Sequence, residues 1–260
     1  MKSPIRDGLN FKCLGEVKKL VPEKSIVSSF LFYSGAIELN LASSGRFIVA
    51  HTNRPFVYEF WHHAMENPSR VATQSEFFFD NLLSEDPLFS IEKMFTILQE
   101  TWFKKRDPHA RVAYFFLLNR CSEGGLISSG KLDKTHFNPA SLSHLKNFKV
   151  KNFYIKFDKE EDFLETLEEE DGSEYLLFPV GSCSHNFFER GKNKGFETTM
   201  VHHEGLSEIL KQRNKKWVAL YKSHKRVFDL YKDYHIIMVD KYGRKTSKKD
   251  KCEDIVIANF

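Results

Sequence analysis

The sequence predicts an α/β fold on a mainly parallel sheet, interrupted by a helical block and closed by an antiparallel hairpin. Three observations predict it. Short β-branched or aromatic runs alternate with amphipathic stretches, the crossovers that parallel strands require. Between about Pro55 and Asn147 the strand signal gives way to apolar residues at helical spacing. The last two strand-like runs, His235–Val239 and Asp254–Ala258, have no helical stretch between them, so they pair as a hairpin.

In chain order, Ile26–Phe32 (IVSSFLF) and Arg46–His51 (RFIVAH) read as strands, with Ser43-Ser44-Gly45 as turn residues between them. Pro55 suits a first helical turn and opens PFVYEFWHHAMEN. Ser75–Leu83, Leu88–Phe103 and His109–Asn119 follow as helices, the last started by Arg106-Asp107-Pro108. Ser122–His136 is a Gly/Ser/Lys loop. Strands return at Asn152–Phe157 and Glu174–Val180, flanking an acidic helix, and a polar loop covers Gly181–Gly195. Glu204–Arg213 is helical, Trp217–Tyr221 extended and His224–Tyr231 helical. No internal repeat is present.

Composition limits the classes available. With 260 residues, 41% hydrophobic and 25 Phe, the chain builds one large domain or one domain with an insertion. No apolar run approaches the roughly 20 residues needed to span a bilayer, and Met1 to Asn10 holds no signal-peptide core, so a cytoplasmic protein is expected. Cys13, Cys121, Cys183 and Cys252 form no Cys-x-x-Cys pair and read as free thiols. His62-His63 and His202-His203 are adjacent, whereas helical metal ligands are spaced three or four apart, so no metal site is expected. Ser182-Cys183-Ser184-His185 lacks the oriented third member of a nucleophilic triad. Phe77-Phe78-Phe79 reads as a core or partner face. The net charge of +4 is uneven. Asp158–Glu174 is acidic, while Lys211–Lys251 holds fourteen Lys or Arg against four Asp, densest in Lys241–Lys251. Such a run is a solvated face or a phosphate-facing surface.

A set of local motifs adds a family likeness. Leu14-Gly15-Glu16-Val17-Lys18-Lys19-Leu20 precedes the first strand; SSFLFYSGAIELNL spans Ser28–Leu41; His51-Thr52-Asn53 closes the second strand. FLLNR (Phe116–Arg120) leads to Gly124-Gly125-Leu126, then Phe137-Asn138-Pro139, and the chain ends on DIVIANF. In this order and spacing, over nearly the whole chain, the sequence resembles Dam-like adenine-specific DNA methyltransferases. The resemblance implies a Rossmann-like S-adenosylmethionine-dependent methyltransferase fold. Residues 1–54 and 148–260 would form the α/β domain, and 55–147 an inserted helical lobe that recognises DNA.

The same resemblance implies that the chemistry is lost. The family's Asp-Pro-Pro-Tyr, which takes the adenine amine hydrogens and stacks on the flipped base, corresponds to Phe178-Pro179-Val180-Gly181. Phe178 has no acceptor and Gly181 has no ring, so no catalytic residue is intact. On the cofactor side, Gly15 survives from an N-terminal Gly-Gly-Lys whose lysine is gone. Tyr33 and Ser34 stand where glycines are expected, leaving Gly35, and Tyr33 is expected to project a ring toward the cofactor cavity or force another turn. His51, next to Asn53, replaces the acidic residue that accepts ribose hydroxyls. Ser128 stands where the family has an arginine, yet Lys104, Lys105, Arg106, Arg111, Arg120 and Lys131 remain, with Lys241, Arg244, Lys245, Lys248 and Lys249 in the last loop. Arg120 suits either DNA or the carbonyls ending its helix.

The expectation is therefore a catalytically inactive homologue without bound cofactor, acting by binding DNA or a protein partner such as an active methyltransferase subunit. One alternative is an active S-adenosylmethionine-dependent adenine methyltransferase with divergent motifs, whose acceptor would be Asp158, Asp80 or Asn186. Another is an unrelated α/β interaction protein.

Overall fold

Seven strands form one sheet in the order β3-β2-β1-β4-β5-β7-β6. They are β1 (Ile26–Ser29), β2 (Phe47–Thr52), β3 (Phe153–Phe157), β4 (Tyr175–Gly181), β5 (Lys216–Lys222), β6 (His235–Asp240) and β7 (Cys252–Ala258). Pairings among β1 to β5 are parallel, and β7 lies antiparallel between β5 and β6. The expected terminal hairpin is thus present, with its second strand inserted into the sheet. The computed structural model describes residues 1–84, 100, 104–125, 133–159, 163–167, 172–183 and 201–260. Lys131, Asn186, Ser184-His185, Ser128 and most of the expected Leu88–Phe103 helix lie outside the described residues.

The helices are α1 (Leu14–Leu20), α2 (Glu38–Ser43), α3 (Pro55–Glu66), α4 (Pro68–Ser84), α5 (Pro108–Arg120), α6 (Pro139–Lys146), α7 (Phe163–Thr166), α8 (His203–Gln212) and α9 (Lys225–Leu230). Alternation along the strands sends side chains to two cores. Val27, Ile48, Leu177 and Val218 meet Val17 of α1, Leu39 of α2 and Trp61 of α3 on one face. Leu176, Phe178, Trp217 and Tyr221 meet Leu206 and Leu210 of α8 and Val227 of α9 on the other.

Between β2 and β3 every described secondary-structure element is a helix. In this block α3 packs on β2 and β3 and also on α5, while α4 packs on α5 and α6. Phe115 and Phe116 of α5 belong to the same core as Val27 and Ile48, so the block and that sheet face share one apolar interior. Local chemistry starts α5 where the sequence indicated, whereas α4 begins at Pro68, ahead of the expected Ser75. The Asp107 carboxylate accepts from the backbone N–H groups of His109 and Ala110, with Pro108 in the first turn. Asn138 and Ser141 form a reciprocal capping box at α6. Phe78 stacks on Tyr114 at 4.4 Å and Phe79 meets Phe137 at 4.5 Å, so two of the three consecutive phenylalanines face inward, while Phe77 is exposed.

Strand β1 is shorter than Ile26–Phe32 suggests. After Ser29 the Phe30 N–H donates to Leu177 O of β4 (2.9 Å), and the Phe32 N–H donates to His51 O of β2 (3.1 Å). Leu31, between them, takes a left-handed conformation with φ 60°. The chain crosses from one neighbouring strand to the other there, which a regular strand cannot do. Among the described residues no helix is long and apolar enough to cross a membrane.

Candidate functional site

In an open parallel sheet, ligands sit beyond the carboxyl ends of the strands, where the connections turn to opposite sides. Here β1 connects outward to β2 on one side and pairs with β4 on the other, so that point is the β1/β4 junction. A cleft opens there. Its walls are the turn from Leu31 to Glu38, Pro179 and Val180 at the end of β4, and Asp7, Leu9 and Phe11 of the N-terminal segment.

That segment, a strap over the carboxyl edge, is fastened along its length. The Asn119 side chain of α5 accepts from the Arg6 N–H (2.8 Å) and donates to the Arg6 carbonyl (2.9 Å). Arg120 donates to the Pro4 carbonyl, and the backbone N–H groups of Lys12 and Cys13 donate to the buried carboxylate of Asp254 on β7. Within the cleft, the Ser34 hydroxyl donates to the Asp7 carboxylate. Leu9 covers Gly181, whose φ of 86° suits glycine and whose missing Cβ makes room for the Leu9 methyls. Gly35 is equally constrained: φ is 71°, and a Cβ there would stand 3.0 Å from the Phe32 ring.

Phe178, where the resemblance puts the catalytic aspartate, is fully buried in the core on the α8/α9 side. Its ring stacks on Phe30 at 5.4 Å, and Phe30 stacks on His51 at 4.5 Å, giving three parallel rings across β4, β1 and β2. His51 is 2% exposed, and its Nδ1 lies 3.0 Å from Oδ1 of Asp158, itself 3% exposed just after β3. The residue expected at the ribose is therefore engaged inside the protein, and so is Asp158, one of the alternative acceptors. Asp80, another, is exposed on α4.

Tyr33, expected to project a ring toward the cavity or to force another turn, lies at the rim of the cleft. Its hydroxyl donates to the Gly125 carbonyl and accepts from Asn119 Nδ2, both at 3.4 Å, and its ring meets Phe115 edge-on. The ring is drawn into the helical block, where burial pushes the phenol up to about 12. Gly15 is exposed in the first turn of α1 with open space around it, and neither it nor Asn53 lines the cleft.

Three cleft residues escaped sequence reasoning. Asp7 and Leu9 arrive through long-range contacts with no local signature. Glu38 follows the Gly35 turn, which is the one clue to it. Glu38 is 3% exposed, accepts from the Ser29 hydroxyl at 2.8 Å, and is raised to about 6, first by burial and also by the nearby Asp7 charge. Asp7 and Glu38 are the charged groups lining the cleft among the described residues.

The cationic residues fall in three places. Lys104 and Arg106 are exposed ahead of α5, and Lys105 lies over the Tyr114 ring at 5.7 Å. Arg111 pairs with Glu59 of α3 (Nε–Oε2 3.0 Å) and is raised above its ordinary value by that hydrogen bond. Arg120 is turned onto the strap and over Phe116, and burial lowers it to about 10. It anchors Pro4 rather than the carbonyls ending its own helix. Lys241, Arg244, Lys245, Lys248 and Lys249 are exposed on the β6–β7 connection. No group of three or more metal-ligating side chains occurs among the described residues.

No protein-family model and no curated protein sequence matches the chain. A solved structure similar to it is the precorrin 8W decarboxylase, product of gene MT0146 of Methanobacterium thermoautotrophicum. The match has a TM-score of 0.36 and 10% identity, over 96% of this chain and 88% of that one, a likeness too low to argue from.

Proposed function

We propose that the chain is a catalytically silent relative of adenine-specific DNA methyltransferases that binds DNA along the carboxyl edge of its sheet. The observation that carries this reading is Phe178. At the place of the catalytic carboxylate stands a ring with no exposed surface, held in a stack with Phe30 and His51. Methyl transfer to an adenine amine needs a hydrogen-bond acceptor and a stacking surface for the extruded base. This position offers neither. The relationship itself is supported by the parallel strands β1 to β5, the terminal hairpin with β7 antiparallel, and the helical block between β2 and β3, all of which the sequence likeness implies.

The residues at the β1/β4 junction do not fit S-adenosylmethionine. Leu9 lies over Gly181, Asp7 occupies the Ser34 hydroxyl, and the acidic ribose acceptor is a histidine engaged with Asp158. No step of a reaction is therefore derived through that cofactor. What remains suited to nucleic acid is the exposed lysine and arginine set at Lys104 and Arg106 and on the β6–β7 connection.

Fluorescence anisotropy with a mixed-sequence duplex over a salt series tests this reading. Neutralising four phosphates makes affinity fall about a hundredfold between roughly 50 and 200 mM salt. Absence of duplex binding at the low-salt end, or transfer of a labelled methyl group to adenine, would contradict it.

A further inference from the structure

The turn joining β6 to β7 is built as a rigid support for one exposed ring. The Asp240 carboxylate accepts from the backbone N–H groups of Tyr242 and Arg244, both at 2.9 Å. The Gly243 N–H donates to the Asp240 carbonyl (2.9 Å), and the Asp240 N–H donates to the Arg244 carbonyl (2.8 Å). Gly243 has φ 81°, and a Cβ there would stand 3.0 Å from the Lys12 carbonyl, so the turn rests closely on the strap. Lys245 is tied to Glu16 of α1 at 3.3 Å.

With its backbone so occupied, the turn leaves Tyr242 71% exposed. The Lys241 ammonium lies 5.0 Å from the ring centre. Lys241, Arg244 and Lys248 are exposed, and no carboxylate is within ion-pairing distance of them among the described residues. Asp240, the nearest acid, is already committed to the turn's own N–H groups, which hold it below its ordinary value. A large flat ring contributes nothing to the fold from such a position. The ring is open to another flat group, with exposed cationic side chains on both sides.

We infer that this turn is a stacking finger for single-stranded nucleic acid: Tyr242 takes the face of an unpaired base, while Lys241, Arg244 and Lys248 take the flanking phosphates. Every base has a π-face, so such contacts tolerate sequence. An unpaired strand fits better than an intact duplex, because a ring entering a duplex must first separate stacked base pairs, at a cost of a few kcal/mol. The finger shares the carboxyl edge with the cleft, because β6 runs parallel to β5 with β7 reversed between them. The strap connects the two: Lys12 touches the finger while Asp7 and Leu9 line the cleft.

The inference rests on the nucleic-acid reading above and is separable from it. The test measures binding of a fluorescent oligothymidine and of a duplex to the full chain, to Tyr242→Ala, to Tyr242→Trp, and to a Lys241→Ala/Arg244→Ala/Lys248→Ala variant. Tyr242→Ala is expected to weaken single-strand binding about tenfold to a hundredfold while leaving the salt slope unchanged. Tyr242→Trp is expected to keep affinity and to show tryptophan quenching on saturation. The triple variant is expected to flatten the single-strand salt slope by about 2. If Tyr242→Ala binds the oligothymidine as tightly as the parent, the stacking finger is refuted, and salt-dependent duplex binding would leave the broader reading standing. If the parent binds neither nucleic acid, both fail.

Discussion

Where β1 and β4 part, the cleft at the carboxyl edge of the sheet is walled by the chain's own first residues. At the β6–β7 turn the same edge is open. The first place is apolar and mildly acidic, with Leu9 seated on Gly181, Asp7 bonded to Ser34, and Glu38 buried behind them. The second is cationic, with Tyr242 standing clear of the protein. An open parallel sheet offers a ligand position at the first, where Leu9 packs on Gly181 and Ser34 bonds Asp7. At the second there is only a connection, on which Lys241, Tyr242, Arg244 and Lys248 stay exposed. Topology locates where a site can be, while the residues decide whether it is kept.

The contrast is broken most directly by mutating both places. Phe178→Ala removes a fully buried ring from the three-ring stack and is expected to cost about 4 kcal/mol in denaturant unfolding. A loss below about 1 kcal/mol would mean that Phe178 does not occupy a core position.

Glu38 sharpens the picture of the cleft. Its carboxyl titrates near 6 when folded against an ordinary value of 4.5. The folded protein thus holds this proton more tightly than the unfolded chain. Its stabilising contribution is complete below about 4.5 and is lost as pH rises through about 6, a loss of about 2 kcal/mol. Unfolding titrations of the parent and Glu38→Gln over that window should diverge by this amount. Parallel curves would show that the carboxyl is solvated.

The smallest effect belongs to the finger. Tyr242→Ala is expected to change stability by less than about 0.5 kcal/mol, as for an exposed side chain that packs on little. A larger loss in thermal unfolding would make the ring structural and erase the contrast.

Much of this molecule was legible in the sequence, and the unread parts share a cause. The strand positions were readable because burial on both faces produces short apolar runs, as in VAL of β5 and IVI of β7. The helix at Pro108 was readable from its cap. Helix α2 was not, because it is six residues long and Ile37 supplies no capping side chain. Phe178, His51 and Gly35 were identified through the family likeness, but their surroundings were not. The partner of His51 lies 107 residues away, and the Asn119 clamp on Arg6 spans 113. Pairings at such separations are set by tertiary packing and leave no mark on local pattern. Tyr33 illustrates the same limit, since only the position of Asn119, 86 residues away, explains where its hydroxyl is held.

We propose that the β1/β4 cleft does not bind S-adenosylmethionine. Isothermal calorimetry of the full chain with that compound, with and without duplex DNA, tests it most directly. No heat of binding is expected up to millimolar ligand in either condition. Saturable micromolar binding would contradict it, and would mean that the strap yields to the cofactor.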